Sequence, residues 1–263
     1  MTTNRKTALI TGASGGIGEA LARTLAQHGY DLILVARTIS KLEALGAELS
    51  TKNGVQTTSI SSDLSAFDAS EKLIADLETR GLQVDVLVNN AGFGEYGEFA
   101  TGDPIKQQQM ISLNILTLTM LTRHLLPKML ERKFGRVMNV ASTAAFMPGP
   151  LMSVYYASKA YVLSFSEALG EELLNTGVTV TALCPGPTES DFQARAAMQD
   201  SKLVQGKTLM TAREVAEQGV AALERGQRVV IPGIMNQIQA QAARFLPRAI
   251  VPGIIKNVQA RNH

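Results

Sequence analysis

The chain contains 263 residues, of which 45% are hydrophobic and 18% are charged. This composition is typical of a globular protein and argues against wholesale disorder. The 25 Lys and Arg residues nearly balance the 23 Asp and Glu residues, and the formal net charge of +2 gives no support to a nucleic-acid partner. Cys184 is the only cysteine, which excludes an intrachain disulfide and a cysteine-rich zinc site.

Short apolar runs alternate along the chain with longer segments of helical periodicity. The runs predict strands at 7–10, 32–36, 55–60, 84–88, 136–141, 178–183 and 228–231. The segments between them predict helices at about 16–28, 40–50, 67–80, 104–133, 153–175 and 211–225. Thr211 and Glu214 form a capping-box pattern at the start of the last helix. We therefore predict an α/β fold over residues 1–263 as one domain: a doubly wound, Rossmann-type parallel sheet of about seven strands with helices on both faces.

The first predicted strand runs directly into a glycine-rich segment, Thr11-Gly12-Ala13-Ser14-Gly15-Gly16-Ile17-Gly18, and a predicted helix follows. This order of strand, glycines and helix is the context of a dinucleotide-binding loop. Glycines let the backbone approach a pyrophosphate, and the helix N-terminus supplies free N–H groups. The candidate cofactor contacts are Gly12, Ser14, Gly16, Ile17 and Gly18. A tight turn without a ligand is the alternative, because a glycine-rich loop alone is a weak signal.

The end of the second predicted strand indicates which dinucleotide would bind. Sites that select NAD usually carry an acid there, which binds the ribose 2′-hydroxyl. This chain has Leu34-Val35-Ala36-Arg37 and no acid. A guanidinium group suits a 2′-phosphate, so the sequence favours NADP (NADPH), with NAD possible. An exposed loop arginine without a ligand is the alternative for Arg37.

Tyr155 and Lys159 lie four residues apart at the start of the helix predicted at 153–175, so they share one face. A lysine ammonium about 4–5 Å from a tyrosine hydroxyl would favour the phenolate by roughly 3–4 kcal/mol at an effective dielectric of 20. The resulting fall in the tyrosine pKa would suit general acid–base chemistry. Such a pair is common on helices, and alone it carries little weight.

Two further polar residues are expected near this pair. Ser142 follows the strand predicted at 136–141, and the carboxyl ends of parallel strands line the ligand crevice. Its hydroxyl would polarise a substrate carbonyl there. Asn114 lies inside the apolar helix predicted at 104–133. It would either order a water next to Lys159 or be a mid-helix amide with satisfied hydrogen bonds.

Together these motifs resemble those of the short-chain dehydrogenases/reductases, in their shorter single-domain branch. The resemblance covers roughly residues 6–232 and also rests on Asn89-Asn90-Ala91-Gly92 and Pro185-Gly186, in the family's order and spacing. It implies that Tyr155 donates the proton in carbonyl reduction. Lys159 would bind the nicotinamide ribose and lower the Tyr155 pKa. Ser142 would hold the substrate oxygen, and Asn114 would keep a water in the proton relay.

The resemblance also implies further cofactor contacts. The adenine would lie against Asp63 and Leu64, and Asn90 would lie along the adenosine ribose. The backbone after Pro185 and Gly186, at Thr188, would meet the nicotinamide carboxamide.

Two positions bear on the choice of cofactor within the family. Arg37 stands where many NADP-preferring members carry arginine. Ser14 stands where others carry a basic residue, so that second signal is absent. Family members are usually dimers or tetramers, which implies a homodimer or homotetramer.

The segments expected around the substrate are mostly apolar. They contain Phe93, Tyr96, Phe99, Ala144, Phe146, Met147, Leu151 and Met152, and a polar connection at 186–210, which we expect to be a lid, adds Phe192 and Met198. They favour an apolar carbonyl compound, such as a ketone or a 3-oxoacyl compound, over a free sugar. Packing of these residues into the core is the alternative. The lid residues Arg195, Lys202 and Lys207 would attract a phosphate-bearing carrier or would simply be solvated.

The tail at 233–263 lies outside the family pattern. An apolar stripe at helical spacing contains Met235, Ile238, Ala242, Phe245 and Leu246, and no acid follows Glu224 to balance the cations. We expect Pro247 and Pro252 to interrupt the helical pattern. The stripe would cover the protein's own substrate cleft, contact a second subunit or lie on an acidic membrane surface.

The sequence thus predicts an NADP(H)-dependent oxidoreductase that transfers a hydride between the nicotinamide and a small-molecule carbonyl or alcohol, without a metal ion. We expect it in the cytoplasm, because no segment is typical of a signal peptide or a transmembrane helix. The alternatives on the same fold are a non-catalytic NADP-binding regulator and a membrane-recruited scaffold.

Overall fold

The computed structural model describes residues 5–189, 209–242 and 245–259, together with Phe192 and Ala196. The strands are β1 (Thr7–Thr11), β2 (Asp31–Ala36), β3 (Thr57–Ser61), β4 (Val86–Asn89), β5 (Gly135–Val140), β6 (Val178–Leu183), β7 (Thr188–Glu189), β8 (Met210–Thr211) and β9 (Val229–Val230). The α-helices are α1 (Gly16–Gln27), α2 (Ile39–Asn53), α3 (Ala69–Thr79), α4 (Pro104–Ile111), α5 (Leu118–Glu131), α6 (Ser153–Glu172), α7 (Ala212–Glu224), α8 (Ile234–Ala242) and α9 (Val251–Gln259).

Seven of these strands form one parallel sheet in the order β3-β2-β1-β4-β5-β6-β9. The order reverses at β1, because the chain builds outward to β3 on one side and then returns to place β4 on the other. This arrangement confirms the predicted doubly wound α/β fold. At such a switch point the loops leaving the two neighbouring strands diverge, and the crevice between them is where open α/β sheets bind ligands.

Helices cover both faces of the sheet. Because successive strand residues point to opposite faces, Ala8 and Ile10 of β1 pack with α1, α2 and α7, whereas Leu9 packs with α3, α5 and α6. All three side chains are fully buried. Burial on both faces explains why the central strands are nearly continuous apolar runs and not alternating ones.

The helix predicted at 104–133 is helical without interruption over Pro104–Glu131, but it is not one regular α-helix. The chain forms α4, then a π-helical segment over Ser112–Thr117, then α5. A π-helical turn closes its hydrogen bonds five residues apart, which shifts the helical phase and is frequent at functional sites. Asn114 lies in this segment and is buried.

Other differences concern short elements. β7 and β8 pair in parallel as a separate two-stranded sheet that the sequence did not predict, since two residues show no periodicity. The capping box at Thr211 and Glu214 is confirmed, with both reciprocal hydrogen bonds present.

The tail forms two helices. α8 ends at Ala242, so Phe245 and Leu246 fall outside it and do not continue the predicted stripe. Pro252 lies in the first turn of α9, where a helix residue has no intrahelical partner for its N–H, so the missing N–H costs nothing. The expected interruption of the helix at Pro252 is therefore wrong. Within the predicted lid at 186–210, the charged residues Arg195, Lys202 and Lys207 lie outside the described residues. In the part of the chain that is described, no helix has both the length and the apolar character needed to cross a bilayer.

Candidate active site

The loop between β1 and α1 requires glycine at two kinds of position. Gly12 and Gly16 have φ values of +69° and +55°, in the left-handed region that other residues adopt with strain. A Cβ at Gly18 would lie 2.2 Å from the Gly12 carbonyl oxygen. Helix α1 therefore approaches the loop only because Gly18 has no side chain.

The N-terminus of α1 is open to a ligand. Its capping residue is Gly15, and no side chain caps the first turn. A Cβ at Gly15 would meet no atom within 4 Å, so space lies outside the loop, while Ser14 and Ile17 are half-buried beside it. Free N–H groups and the positive end of the helix dipole face this space, and they fit a dinucleotide pyrophosphate.

The ends of β2 and β3 extend this edge of the crevice. Gly12 donates its N–H to the Val35 carbonyl at 2.8 Å, which ties the glycine loop to the end of β2, and Arg37 is exposed two residues later. A hydrogen bond from the Ser65 hydroxyl holds the pKa of Asp63 below its usual value, and the charge of Arg37 lowers it further. The guanidinium and this carboxylate therefore flank the same side of the site.

Leu64 and Asn90 make contacts within the protein. Leu64 is 4% exposed, and its carbonyl accepts a hydrogen bond from Thr117 at 2.8 Å. The Asn90 amide donates to the carbonyls of Thr11 (2.9 Å) and Gly12 (3.3 Å). Asn90 thus holds the glycine loop, and its predicted contact with the adenosine ribose stays a prediction.

Thr11 is a site residue that the sequence reasoning missed. Its hydroxyl accepts the N–H groups of Asn90 and Ala91, both at 3.0 Å, and donates to the Val88 carbonyl at 3.2 Å. It joins the loops after β1 and β4 at the switch point. A threonine at the end of a buried apolar strand was the available signal.

Ser142, Tyr155 and Lys159 meet at the carboxyl end of β5. Ser142 follows that strand, and its side chain lies beside Tyr155 near the start of α6. The Lys159 Nζ donates to the Val140 carbonyl at 2.7 Å and lies 5.8 Å from the centroid of the Tyr155 ring. The structure thus brings three of the four predicted catalytic residues into one cluster.

Burial dominates the acid–base properties of this cluster. It lowers the pKa of Lys159 from 10.5 to about 8. Burial also raises the pKa of Tyr155 well above its usual value, and the hydrogen bond with Ser142 opposes this rise only in part. The net direction of the Tyr155 pKa is therefore opposite to the predicted lowering, and the charge of Lys159 is not among its causes. The ammonium is held at the Val140 carbonyl, and desolvation of the phenolate dominates.

Asn114 joins the π-helical segment to the rest of the site. Its Oδ1 accepts the Phe93 N–H at 3.2 Å, and its Nδ2 donates to the Phe93 carbonyl and to the Ser158 hydroxyl, both at 3.0 Å. Ser158, which the sequence reasoning missed, donates to the Tyr155 carbonyl at 2.7 Å. Asn114 thus has the satisfied hydrogen bonds of the second alternative expected for it, a mid-helix amide. The water in the proton relay stays a prediction.

The segment after β6 completes the polar side of the crevice. The Pro185 carbonyl accepts the Thr143 N–H at 2.9 Å and the Ser142 hydroxyl at 3.4 Å. The Thr188 hydroxyl donates to the Gly186 carbonyl at 2.9 Å. These contacts hold the predicted nicotinamide-binding segment directly beside Ser142.

An apolar cluster borders Tyr155 on the other side, and we call it the apolar wall. Its members are Ala144, Met152, Tyr156 and Ala196, with Tyr96, Met147, Tyr155, Phe192 and Ile255 packed against them. A Cβ at Gly94 would lie about 3 Å from atoms of Met152, Phe192 and Tyr155, so this glycine leaves room beside Tyr155. Phe99, by contrast, is 64% exposed and is not part of the wall. Met198 lies outside the described residues.

The described residues contain no group of three or more His, Cys, Asp and Glu side chains placed to hold a metal ion.

Comparisons with known proteins agree with this geometry. The family model of the short chain dehydrogenases matches residues 6–201. The very-long-chain 3-oxoacyl-CoA reductase of Homo sapiens is 36% identical over 182 residues, which cover 68% of this chain and 58% of the relative. The match thus spans less than two thirds of that protein's length.

Solved structures match over more of the chain. A short-chain dehydrogenase from Sphingobium yanoikuyae in complex with NADPH is 31% identical, with a TM-score of 0.82 and coverage of 91% of this chain and 92% of that one. A bulky-bulky ketone specific alcohol dehydrogenase from Comamonas testosteroni is 28% identical, with a TM-score of 0.78 and coverage of 92% and 93%.

The close approach at Gly18 predicts an unequal effect of two glycine substitutions. Gly18→Ala places a methyl group against the Gly12 carbonyl and should lower the free energy of unfolding by about 1–3 kcal/mol, as overpacking does. Gly15→Ala adds the same methyl group where no atom lies within 4 Å, at an extended φ of 170°, and should change it by less than about 0.5 kcal/mol. Urea unfolding measures both, and equal losses would contradict the interpretation.

The lowered pKa of Lys159 predicts a pH-dependent stability. Between pH of about 8 and 10.5 the unfolded chain binds the Lys159 proton and the folded chain does not, so stability rises with pH in that window. The free energy of unfolding of the unmodified chain should therefore rise relative to that of Lys159→Met. Lys128→Met removes an exposed lysine paired with Glu78 and serves as the control. Parallel curves for the unmodified chain and Lys159→Met would contradict the shift.

Proposed function

This chain belongs to the short-chain dehydrogenase family, and from that premise we propose that it is an NADP(H)-dependent oxidoreductase acting on a carbonyl or alcohol group. One observation carries the proposal. Ser142, Tyr155 and Lys159 converge at the carboxyl end of β5, with the glycine loop and the Pro185–Gly186 segment on the same edge of the sheet. A proton donor and a dinucleotide-binding loop therefore border one crevice.

Each residue has a distinct task in carbonyl reduction. The bound nicotinamide supplies the hydride. The hydroxyls of Ser142 and Tyr155 donate hydrogen bonds to the substrate oxygen and stabilise the negative charge that develops there. Because burial keeps the pKa of Tyr155 high, its proton stays on Oη until the substrate oxygen becomes basic enough to take it.

Lys159 supports the tyrosine after that transfer. With a pKa of about 8 it still carries its charge at neutral pH. Its ammonium then attracts the phenolate that remains on Tyr155, while the Val140 carbonyl fixes its position. In the oxidative direction the same groups act in reverse, and Tyr155 accepts the alcohol proton.

The apolar wall supports a ketone or 3-oxoacyl compound with a large apolar substituent as the substrate. A free sugar would leave hydroxyl groups unpaired against Met147, Met152 and Phe192, at a cost of about 1–3 kcal/mol each. The names of two similar proteins point the same way, since one is a very-long-chain 3-oxoacyl-CoA reductase and the other is specific for bulky ketones.

Arg37 supports NADP over NAD. Its guanidinium is exposed at the end of β2, on the side where the glycine loop is tied to that strand. A solved relative carries NADPH. NAD binding remains the alternative, because Asp63 beside Arg37 offsets part of its charge.

The remaining expectations from the sequence stay predictions. They are a homodimer or homotetramer, a cytoplasmic location and contact of the tail with a membrane surface. Two alternative functions make different predictions: an NADP-binding regulator would bind the cofactor without turnover, whereas a membrane-recruited scaffold would keep its turnover but lose its localisation when the tail is removed.

Replacing the proton donor tests the proposed activity. Tyr155→Phe should lower kcat for ketone reduction by about 10²–10⁴-fold, because it removes the general acid and one donor to the substrate oxygen. NADPH binding, followed by the fluorescence of the cofactor, should persist. Tyr161→Phe is the control, since Tyr161 lies on the same helix with its hydroxyl on Thr119. Unchanged turnover in Tyr155→Phe would refute the mechanism.

Replacing Arg37 tests the cofactor preference. Arg37→Ala should raise the KM for NADPH by roughly 10–100-fold, the equivalent of one charged hydrogen bond to a phosphate, and leave the KM for NADH unchanged. Arg80→Ala removes an arginine that is paired with Asp76 on α3, away from the crevice, and should change neither. A similar rise for both cofactors in Arg37→Ala would reject the assignment.

A further inference from the structure

The C-terminal helix α9 lies against the apolar wall beside the catalytic tyrosine. Val251, Ile255 and Gln259 recur every four residues and so share one helix face. Val251 and Gln259 are 5% and 0% exposed, and Ile255 packs against the apolar wall. This face of α9 is therefore fixed on the body of the protein, although it belongs to a segment beyond the family match.

A polar contact fixes the end of α9. The Gln259 Nε2 donates a hydrogen bond to the Tyr156 hydroxyl. The Tyr156 ring itself packs over Gly149, where a Cβ would lie 2.3 Å away, and it meets the Tyr155 ring edge-on with centroids 6.1 Å apart. Gln259 is thus connected through one side chain to the catalytic tyrosine.

The preceding helix α8 fixes the other end of the tail. Asn236 of α8 donates to the Pro232 carbonyl at 2.7 Å, and its Oδ1 lies 2.4 Å from where a Cβ of Gly186 would be. Ala240 is fully buried. The tail therefore packs on the segment predicted to meet the nicotinamide and on the apolar wall, at two separate places around the same crevice.

We propose that α9 is a part of the substrate site, in which Ile255 contacts the apolar end of the substrate that lies away from the carbonyl. The inference rests on the proposed function. Ile255 sets the length of the substituent that the crevice accepts. Gln259 positions α9 through its hydrogen bond with Tyr156.

The effect of Ile255 on binding depends on the length of the substrate. A short ketone occupies the space beside Ser142 and Tyr155 and does not reach Ile255. A longer one gains about 0.8 kcal/mol for each methylene that it buries, until it meets α9. A change at Ile255 should therefore act only on the longer substrates, whereas a change that merely loosens the fold should act on all of them.

The test uses linear methyl ketones of increasing length, from acetone upward, with NADPH and the full chain. Ile255→Ala should leave kcat/KM for the short members unchanged and raise it for the longest members by at least about 10-fold. Ile255→Trp should lower it for the longest members by a similar factor. Ile254→Ala and Ile254→Trp are matched controls, since Ile254 is the neighbouring residue on α9 and is 42% exposed. The same length profile in all four variants would overturn the proposal.

A second readout is independent of turnover. The chain contains no tryptophan, so Ile255→Trp and Ile254→Trp each carry a single fluorophore. With NADPH present, a methyl ketone long enough to reach α9, at a concentration that saturates the Ile255→Trp variant, should change the emission at position 255 and not at position 254. Such a change without turnover would support the role of α9 and refute the proposed oxidoreductase activity. Turnover without any change at 255 would refute the role of α9 and leave the activity standing. No turnover and no change would refute both.

The role of Gln259 is tested through its partner. Gln259→Ala and Tyr156→Phe remove the two ends of the same hydrogen bond. If Gln259 positions α9 through Tyr156, the double variant should shift the length profile no further than either single variant. Additive shifts would show that Gln259 acts by another route and would overturn its assignment as a positioning residue.

Discussion

The crevice depends on how the chain satisfies backbone groups at the switch point of the sheet. After β4 the strand ladder ends next to the buried end of β1. Without Thr11 the N–H group of Asn90 would keep only the Val88 carbonyl as an acceptor, and that of Ala91 would lose its hydrogen bond. The Thr11 hydroxyl accepts hydrogen bonds from both N–H groups, and Thr11 is only 2% exposed. An unsatisfied buried donor costs about 1–3 kcal/mol, so this one hydroxyl fixes the distance between the two loops. The glycine loop, held in turn by the Asn90 amide, takes its shape from that distance.

The catalytic cluster depends on a second constraint, desolvation. Burial disfavours the charged forms of both Tyr155 and Lys159, and it acts in opposite directions on their pKa values. The raised pKa keeps the proton on Tyr155, whereas the lowered pKa makes Lys159 lose its proton more easily than an exposed lysine does. In the proposed reduction such a pair would favour proton donation to a developing oxyanion, because the Lys159 ammonium, 5.8 Å from the centroid of the Tyr155 ring, would attract the phenolate that results. The Val140 carbonyl and the Ser142 hydroxyl provide the fixed dipoles that make this arrangement stable without a substrate.

The tail joins these two regions from outside the part of the chain that matches the family. α8 rests on Gly186 through Asn236, and α9 rests on the apolar wall through Ile255 and Gln259. Both contacts use residue types that are unremarkable in the sequence, and both depend on close packing: a glycine without a Cβ in one case and a tyrosine hydroxyl in the other. Ile254 and Val258 on the neighbouring face of α9 are exposed, as is Ile250 directly before the helix. The tail therefore lies between the crevice and this exposed apolar face of α9.

The sequence by itself determined the fold class, the position of the glycine loop and the approach of Ser142 to Tyr155 and Lys159. These follow from local rules: strand and helix periodicity, the conformational freedom of Gly12 and Gly16, and the fact that the carboxyl ends of parallel strands lie together. Tertiary structure alone decided the π-helical segment within the helix predicted at 104–133, the bonding of Asn90 and Asn114 to the protein, the direction of the Tyr155 pKa and the course of the tail. Each of these depends on burial and on contacts between residues far apart in the chain, such as Gln259 with Tyr156, and no local pattern encodes them.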